Sequence, residues 1–122
     1  MTANLILEKL CNLPVDYHRI GTVSAVSLIQ QSGFLQNPAV LSRNAIAAYL
    51  RENPTLVEQW EVWSDDQRYS PAWVFVKGDG AYTVYRHPVG EQMIFADKFE
   101  ACAEFIVRQI LAIARVARKK SN

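Results

Sequence analysis

Apolar residues recur every three or four positions through the first half of the chain, the spacing of one face of an amphipathic helix. This spacing predicts three helices, over residues 4–12, 22–31 and 42–53. Pro14 and Gly33 stand where the first two should end, and Asn53 precedes a proline, which disfavours helical dihedrals at that position. Ser42 is a preferred N-cap residue, so the third helix should begin there.

The hydrophobic period changes to two after the third helix, which is typical of β-strands. We expect a short helical turn at Thr55 and then strands over residues 60–63, 72–77, 81–86 and 92–95. The Gly78-Asp79-Gly80 stretch between two β-rich segments indicates a tight hairpin turn.

Asp97 and Glu100 have the spacing of a capping box and predict the start of a last helix. Its core-facing stripe comprises Phe99, Cys102, Ala103, Ile106, Ile110, Ile113, Ala114 and Ala117. The whole pattern predicts an α+β fold: N-terminal helices, a small antiparallel sheet of three to four strands, and a long C-terminal helix packed on the sheet. We expect one domain over residues 1–122, with a frayed basic end over residues 115–122.

The composition is that of a globular protein, with 50% hydrophobic and 20% charged residues among 122. A net charge of +1 excludes a strongly basic nucleic-acid coat or a highly acidic mimic. Residues 1–13 lack the pattern of a signal peptide, and no apolar run approaches the roughly 18 residues of a membrane span, so we expect a cytoplasmic protein without a membrane partner. Cys11 and Cys102 are expected to be reduced, buried thiols, since nothing demands a disulfide.

Catalytic motifs do not emerge from the sequence. His18 and His87 lack neighbours at metal-ligand spacing, and no phosphate-binding glycine loop or nucleophile elbow is present. We therefore expect a protein that is not an enzyme and that uses no cofactor and no metal. A small ligand-binding domain or enzyme built around Tyr17, His18 and Tyr69 is one alternative.

Charge is unevenly distributed along the chain. Residues 52–66 contain five acidic and no basic residues, whereas residues 108–122 contain five basic and no acidic residues. The acidic segment is interleaved with tryptophans, and on the predicted strand Glu61 and Trp63 share one face. Aromatic side chains beside carboxylates suit a basic protein partner, because tryptophan and tyrosine are enriched among interface hot spots.

A longer motif runs through this region. It reads Trp60-x-x-Trp63-Ser64-x-Asp66-x-Arg68-x-Ser70-x-x-Trp73, then Tyr82-x-Val84, then Asp97-x-x-x-Ala101-Cys102-Ala103-x-Phe105-Ile106. Across residues 50–113 it resembles the small bacterial immunity proteins encoded beside polymorphic toxins, including those of contact-dependent growth inhibition. The resemblance implies a non-enzymatic cytoplasmic protein that binds a cognate toxin domain and blocks its active site or substrate path. The near-neutral pI of about 7.8 differs from that of strongly acidic immunity proteins, so the activity of the toxin stays open.

The predicted partner-binding residues are Glu58, Glu61, Trp63, Asp65, Asp66, Arg68 and Tyr69. Arg68 has the charge to pair with Asp65 or Asp66 and fix their loop, so part of this set has an equally good interpretation as scaffold. A second alternative function is a nucleic-acid-binding regulator that uses Arg115, Arg118, Lys119 and Lys120. No aromatic residue interleaves that basic run, so we do not expect nucleic acid to be the main partner.

Overall fold

Six α-helices and a three-stranded sheet make up the computed structural model, which describes residues 2–66, 72–87 and 90–121. The helices are α1 (Ala3–Cys11), α2 (Leu13–Ile20), α3 (Ala25–Ser32), α4 (Arg43–Glu52), α5 (Thr55–Asp65) and α6 (Lys98–Ser121). The strands are β1 (Ala72–Lys77), β2 (Tyr82–His87) and β3 (Gln92–Phe95), and two short 3-10 turns (Phe34–Gln36 and Pro38–Val40) link α3 to α4. The predicted α+β class is confirmed.

Serine and threonine caps fix the starts of three helices. The hydroxyl of Ser42 accepts a hydrogen bond from the backbone N–H of Ala45, as the sequence predicts. Helix α3 begins later than expected, because Ser24 rather than Thr22 is its cap and accepts from the N–H of Ser27 at 3.0 Å. Gly33 ends α3 in the left-handed region, with φ of 90°.

Helix α2 was not expected from the sequence. Pro14 lies in the first turn of this helix rather than after the end of α1. The reason is that proline lacks only an N–H that the first helical turn leaves unpaired anyway, so the residue that ends one helix can begin another. Gly21 then ends α2 with φ of 78°.

The predicted strand over residues 60–63 is wrong, since these residues lie in the middle of α5. Four side chains at spacings of one, three and four positions face the core: Leu56, Val57, Trp60 and Ser64. Their joint burial is possible only with helical periodicity, which outweighs the short alternation of apolar and polar residues from Trp60 onward.

The sheet is antiparallel in the order β1-β2-β3, and the hairpin at Gly80 lies where the sequence predicts it. Phe75 opposes Val84 at its centre, and both side chains are buried. A hydrogen bond joins the outer edge of β1 to α5, since the N–H of Phe75 donates to the hydroxyl of the buried Ser64 at 2.9 Å. The sheet and α5 therefore have a fixed relative position.

Helix α6 packs against α3, α4 and the sheet. Among the described residues, it supplies nine of the buried apolar side chains of the core. Phe105 is central: its ring stacks on Phe75 at 5.8 Å between centroids and meets Trp60 edge-on at 6.0 Å. Asp97 caps α6 by accepting from the N–H groups of Phe99 and Glu100. In the described ranges, no helix combines the length and apolar character needed to cross a membrane.

Candidate protein-binding face

Helix α5 presents a face of carboxylates that we call the acidic face, formed by Glu58, Glu61, Asp65 and Asp66 around Val62. Spacings of three and four positions bring these residues onto one side of the helix, away from the core-facing Trp60. All except Glu61 are exposed, and Val62 at their centre is 49% exposed. Neither Asp65 nor Asp66 forms an ion pair with another described residue, and both are exposed.

Trp63 lies apart from Glu61, unlike the arrangement expected of a strand. Two residues advance about 200° around a helix, which puts Glu61 and Trp63 at opposite margins of α5. Trp63 is partly buried and packs against the core. Its ring meets Trp60 at 5.8 Å and Tyr17 at 5.3 Å between centroids. Trp63 therefore flanks the carboxylates and does not stand among them.

The indole nitrogen of Trp63 has an unusual environment. Its Nε1 is buried and has no hydrogen-bond partner in the described part of the chain. The Nε1 of Trp60, one turn away, donates to the backbone carbonyl of Cys11 at 2.9 Å. Since a buried N–H without a partner is destabilising, the two neighbouring tryptophans contribute differently to folding.

Two of the predicted partner-binding residues, Arg68 and Tyr69, lie outside the described residues. The expected ion pair from Arg68 to Asp65 or Asp66 falls there as well. The structure thus brings together Glu58, Glu61, Asp65 and Asp66, with Trp63 beside them.

The alternative site around Tyr17, His18 and Tyr69 has an aromatic basis at its first two residues, and Tyr69 lies outside the described residues. Tyr17 is 39% exposed and meets His18 edge-on at 5.6 Å. Asp16 pairs with Arg19 at 3.4 Å rather than with the imidazole. In the described part of the chain, neither ring lines the concave sites of about 650 Å³ and 180 Å³.

The smaller concave site lies between α2 and α3, with a volume of about 180 Å³. Asp16 and Arg19, which pair with each other, form part of its rim. Lys9 from α1 is the other charged residue of its lining.

The basic end of α6 exposes the side chains of Arg115, Arg118 and Lys119. They follow spacings of one, three and four, so they share one side of the helix. The side chain of Lys120 lies outside the described set. Sequence reasoning did not connect the middle of α6 to Trp73, whose ring lies 4.9 Å from the guanidinium carbon of Arg108.

Metal and thiol chemistry find no support among the described residues. No group of three or more His, Cys, Asp or Glu side chains is placed to hold a metal ion within those ranges. Cys11 and Cys102 are both free and buried. Burial raises the pKa of the Cys11 thiol to about 12, so it is not a nucleophile at neutral pH.

No protein-family model, curated protein or solved structure matches the chain.

Proposed function

We propose that this chain is an immunity protein that binds a cognate bacterial toxin domain through the acidic face and neutralises it by covering its active site or substrate path. The protein would act in the cytoplasm and without catalysis of its own. The observation that carries the proposal is the acidic face itself, in which exposed carboxylates surround an exposed valine on one rigid helix.

The charge of this face selects the kind of partner. Residues 52–66 contain five acidic residues and no basic residue to neutralise them. Such a local field accelerates encounter with a cationic surface and disfavours acidic ones. A toxin domain that binds an anionic substrate has a cationic active site, and a cover for that site needs this complementary charge.

Apolar side chains at the centre and at one side of the acidic face supply contact area. Val62 lies at the centre of the face, and the partly exposed Tyr17 meets the ring of Trp63 edge-on at one side. Aromatic side chains held by their neighbours make strong interface anchors, because little conformational entropy is lost on binding. A stable interface needs about 800 Å² per partner, and the accessible surface of 7049 Å² readily includes such an area.

The partner class rests on the resemblance of residues 50–113 to immunity proteins. Several residues of that motif have structural tasks here, such as Ser64, which accepts from the N–H of Phe75, and Asp97, which caps α6. These motif residues stabilise the fold, and the fold in turn holds the exposed acidic side chains of α5 in place. The toxin-binding surface is thus distinct from most of the motif.

The test is a growth-rescue experiment with a charge-matched control. The toxin domain encoded by the reading frame immediately upstream is induced in a laboratory bacterium together with this protein. We expect rescue by the wild type and loss of rescue by the double variant Glu58→Lys with Asp65→Lys. The control is Glu8→Lys with Asp79→Lys, which makes the same change in net charge at exposed positions on α1 and in the hairpin turn.

Binding of the purified pair gives the quantitative result. Reversal of two interface charges should weaken the complex at least about tenfold, while the control variant should bind as the wild type does. Equal loss by both variants would contradict the assignment of the acidic face. Growth arrest that persists beside soluble, folded wild-type protein, or an upstream product that is harmless, would contradict the toxin assignment.

A further inference from the structure

A second surface of opposite charge lies on another part of the molecule. It is a groove of about 650 Å³ between α3, α6 and the ends of β1 and β2. Most of its lining is apolar and includes Ala25, Val26, Ala72, Ala112, Ile113 and Val116. Three arginines reach it, Arg86 from β2 and Arg108 and Arg115 from α6, against the single acid Glu91. We call this surface the arginine groove.

One of the three arginines is already engaged. The Nε of Arg108 donates to Glu104 at 2.9 Å, and its Nη2 lies 3.9 Å from Glu91. Its guanidinium also lies over Trp73. The contacts with Glu104 and Trp73 hold Arg108 at the wall of the groove, and the carboxylate of Glu91 lies within ion-pair distance of Arg108.

The other two arginines are available to a ligand. Arg86 and Arg115 are exposed, and neither forms an ion pair within the described part of the chain. They come from different elements, yet both border the same groove. A guanidinium offers a planar set of donors that matches carboxylate and phosphate oxygens, so two of them make a strong anion anchor.

Gln109 adds an independent sign of a ligand site. It lines the groove and is only 4% exposed, and its amide forms no hydrogen bond with a described residue. Buried polar side chains are almost always hydrogen-bonded. An amide without a described partner, on a largely buried residue that lines the groove, is therefore suited to a polar group of a bound molecule.

We propose that the arginine groove binds a small organic anion, whose phosphate or carboxylate pairs with Arg86 and Arg115 while its apolar body lies against Ala112 and Val26. The volume is within the range of small-molecule sites, which are mostly apolar with a few placed polar groups. This site is separate from the acidic face and does not depend on the function proposed above.

The first measurement uses 8-anilinonaphthalene-1-sulfonate, a fluorescent anion with an apolar ring body, titrated into the full-length protein. We expect saturable binding that Arg86→Gln with Arg115→Gln weakens about a hundredfold, because each charge-assisted contact is worth about tenfold or more. The matched control is Arg118→Gln with Lys119→Gln, which removes the same charge from α6 outside the groove. Binding that both double variants weaken equally would overturn the proposal.

Competition separates the sources of the anion. AMP should displace the probe at a lower concentration than inorganic phosphate, because only AMP has a body for the apolar lining. The variant Gln109→Leu should weaken AMP several-fold with an unchanged urea midpoint. A thymidine oligonucleotide tests for a nucleic-acid surface. If it displaces the probe, and if this displacement requires Arg118 and Lys119 as much as Arg86, the small-ligand proposal is overturned.

Discussion

Two tryptophans one turn apart on α5 allow a direct test of how hydrogen bonding stabilises this core. Trp60 is fully buried, and its indole N–H donates to the carbonyl of Cys11 at 2.9 Å. Trp63 is partly buried, and its indole nitrogen has no hydrogen-bond partner among the described residues. Phenylalanine at either position removes the N–H and two ring carbons but keeps an aromatic ring in contact with its neighbours.

The two substitutions should differ in their effect on the free energy of unfolding. Trp60→Phe loses a hydrogen bond worth about 1 kcal/mol, and it loses two buried carbons worth about 0.8 kcal/mol each. A total loss of about 2.6 kcal/mol follows. Trp63→Phe loses part of that burial, but it removes an unpaired N–H that costs roughly 1–3 kcal/mol. Its net effect should therefore be close to zero.

Urea unfolding followed by far-UV circular dichroism measures the difference without tryptophan fluorescence, which both substitutions alter. With a slope of about 1.5 kcal/mol/M, the midpoint of Trp60→Phe should fall by roughly 1.7 M. The midpoint of Trp63→Phe should stay within about 0.3 M of the wild type. Equal losses in the two variants would refute the reasoning, since they would show that ring burial alone, without the hydrogen bond, sets the stability.

Two further predictions concern titratable groups. Partial desolvation acts to raise the pKa of Asp97, but hydrogen bonds from Arg51 and from the helix N-terminus lower it overall. Its stabilising effect should be complete above about pH 4 and be lost as the pH falls further. Asp97→Ala should lower the free energy of unfolding by about 1–2 kcal/mol at pH 7. If the urea midpoints of the wild type and the variant depend on pH in the same way, this prediction is wrong. Burial raises the pKa of both Cys11, to about 12, and Cys102, so iodoacetamide at pH 8 should label them only in urea. Rapid labelling of the native protein would contradict their burial.

The elements predicted well from the sequence are those whose signals are local. The turn at Gly78-Asp79-Gly80 and the cap at Asp97 depend on a few adjacent residues, and the structure confirms both. Each has a direct physical cause, left-handed backbone at Gly80 and an unpaired helix N-terminus after Asp97. Local causes of this kind operate whatever the rest of the chain does.

Helices α2 and α5 were missed because their signals are ambiguous. Pro14 can end a helix or begin one, and only the packing of α2 beside α5 decides between the two. Residues 60–63 alternate over four positions, a length at which strand and helix patterns overlap. The buried residues Val57, Trp60 and Ser64 have helical spacing, so a stretch longer than residues 60–63 indicates a helix.

The same distinction explains which parts of the candidate sites were accessible to sequence reasoning. The acidic face belongs to α5 and its C-cap, so its residues are neighbours in the sequence. The error over strand and helix left this set of acidic residues unchanged, but it separated Trp63 from Glu61 and moved Asp65 from a loop onto the helix. The arginine groove combines Trp73, Arg86, Arg108 and Arg115, which span more than forty residues of chain. No spacing rule predicts that grouping, because it results from the packing of α6 across the sheet.

The net charge of +1 therefore says little about what this protein can bind. The charges behind it include an acidic helix surface and a basic groove, each of which has a clear sign of its own. Charge screening confines the field of exposed groups to about 10 Å at moderate salt, so a ligand senses the nearest patch rather than the total. One chain of this size can thus attract a cationic protein surface and a small anion at separate places, and the fold decides which charges act together.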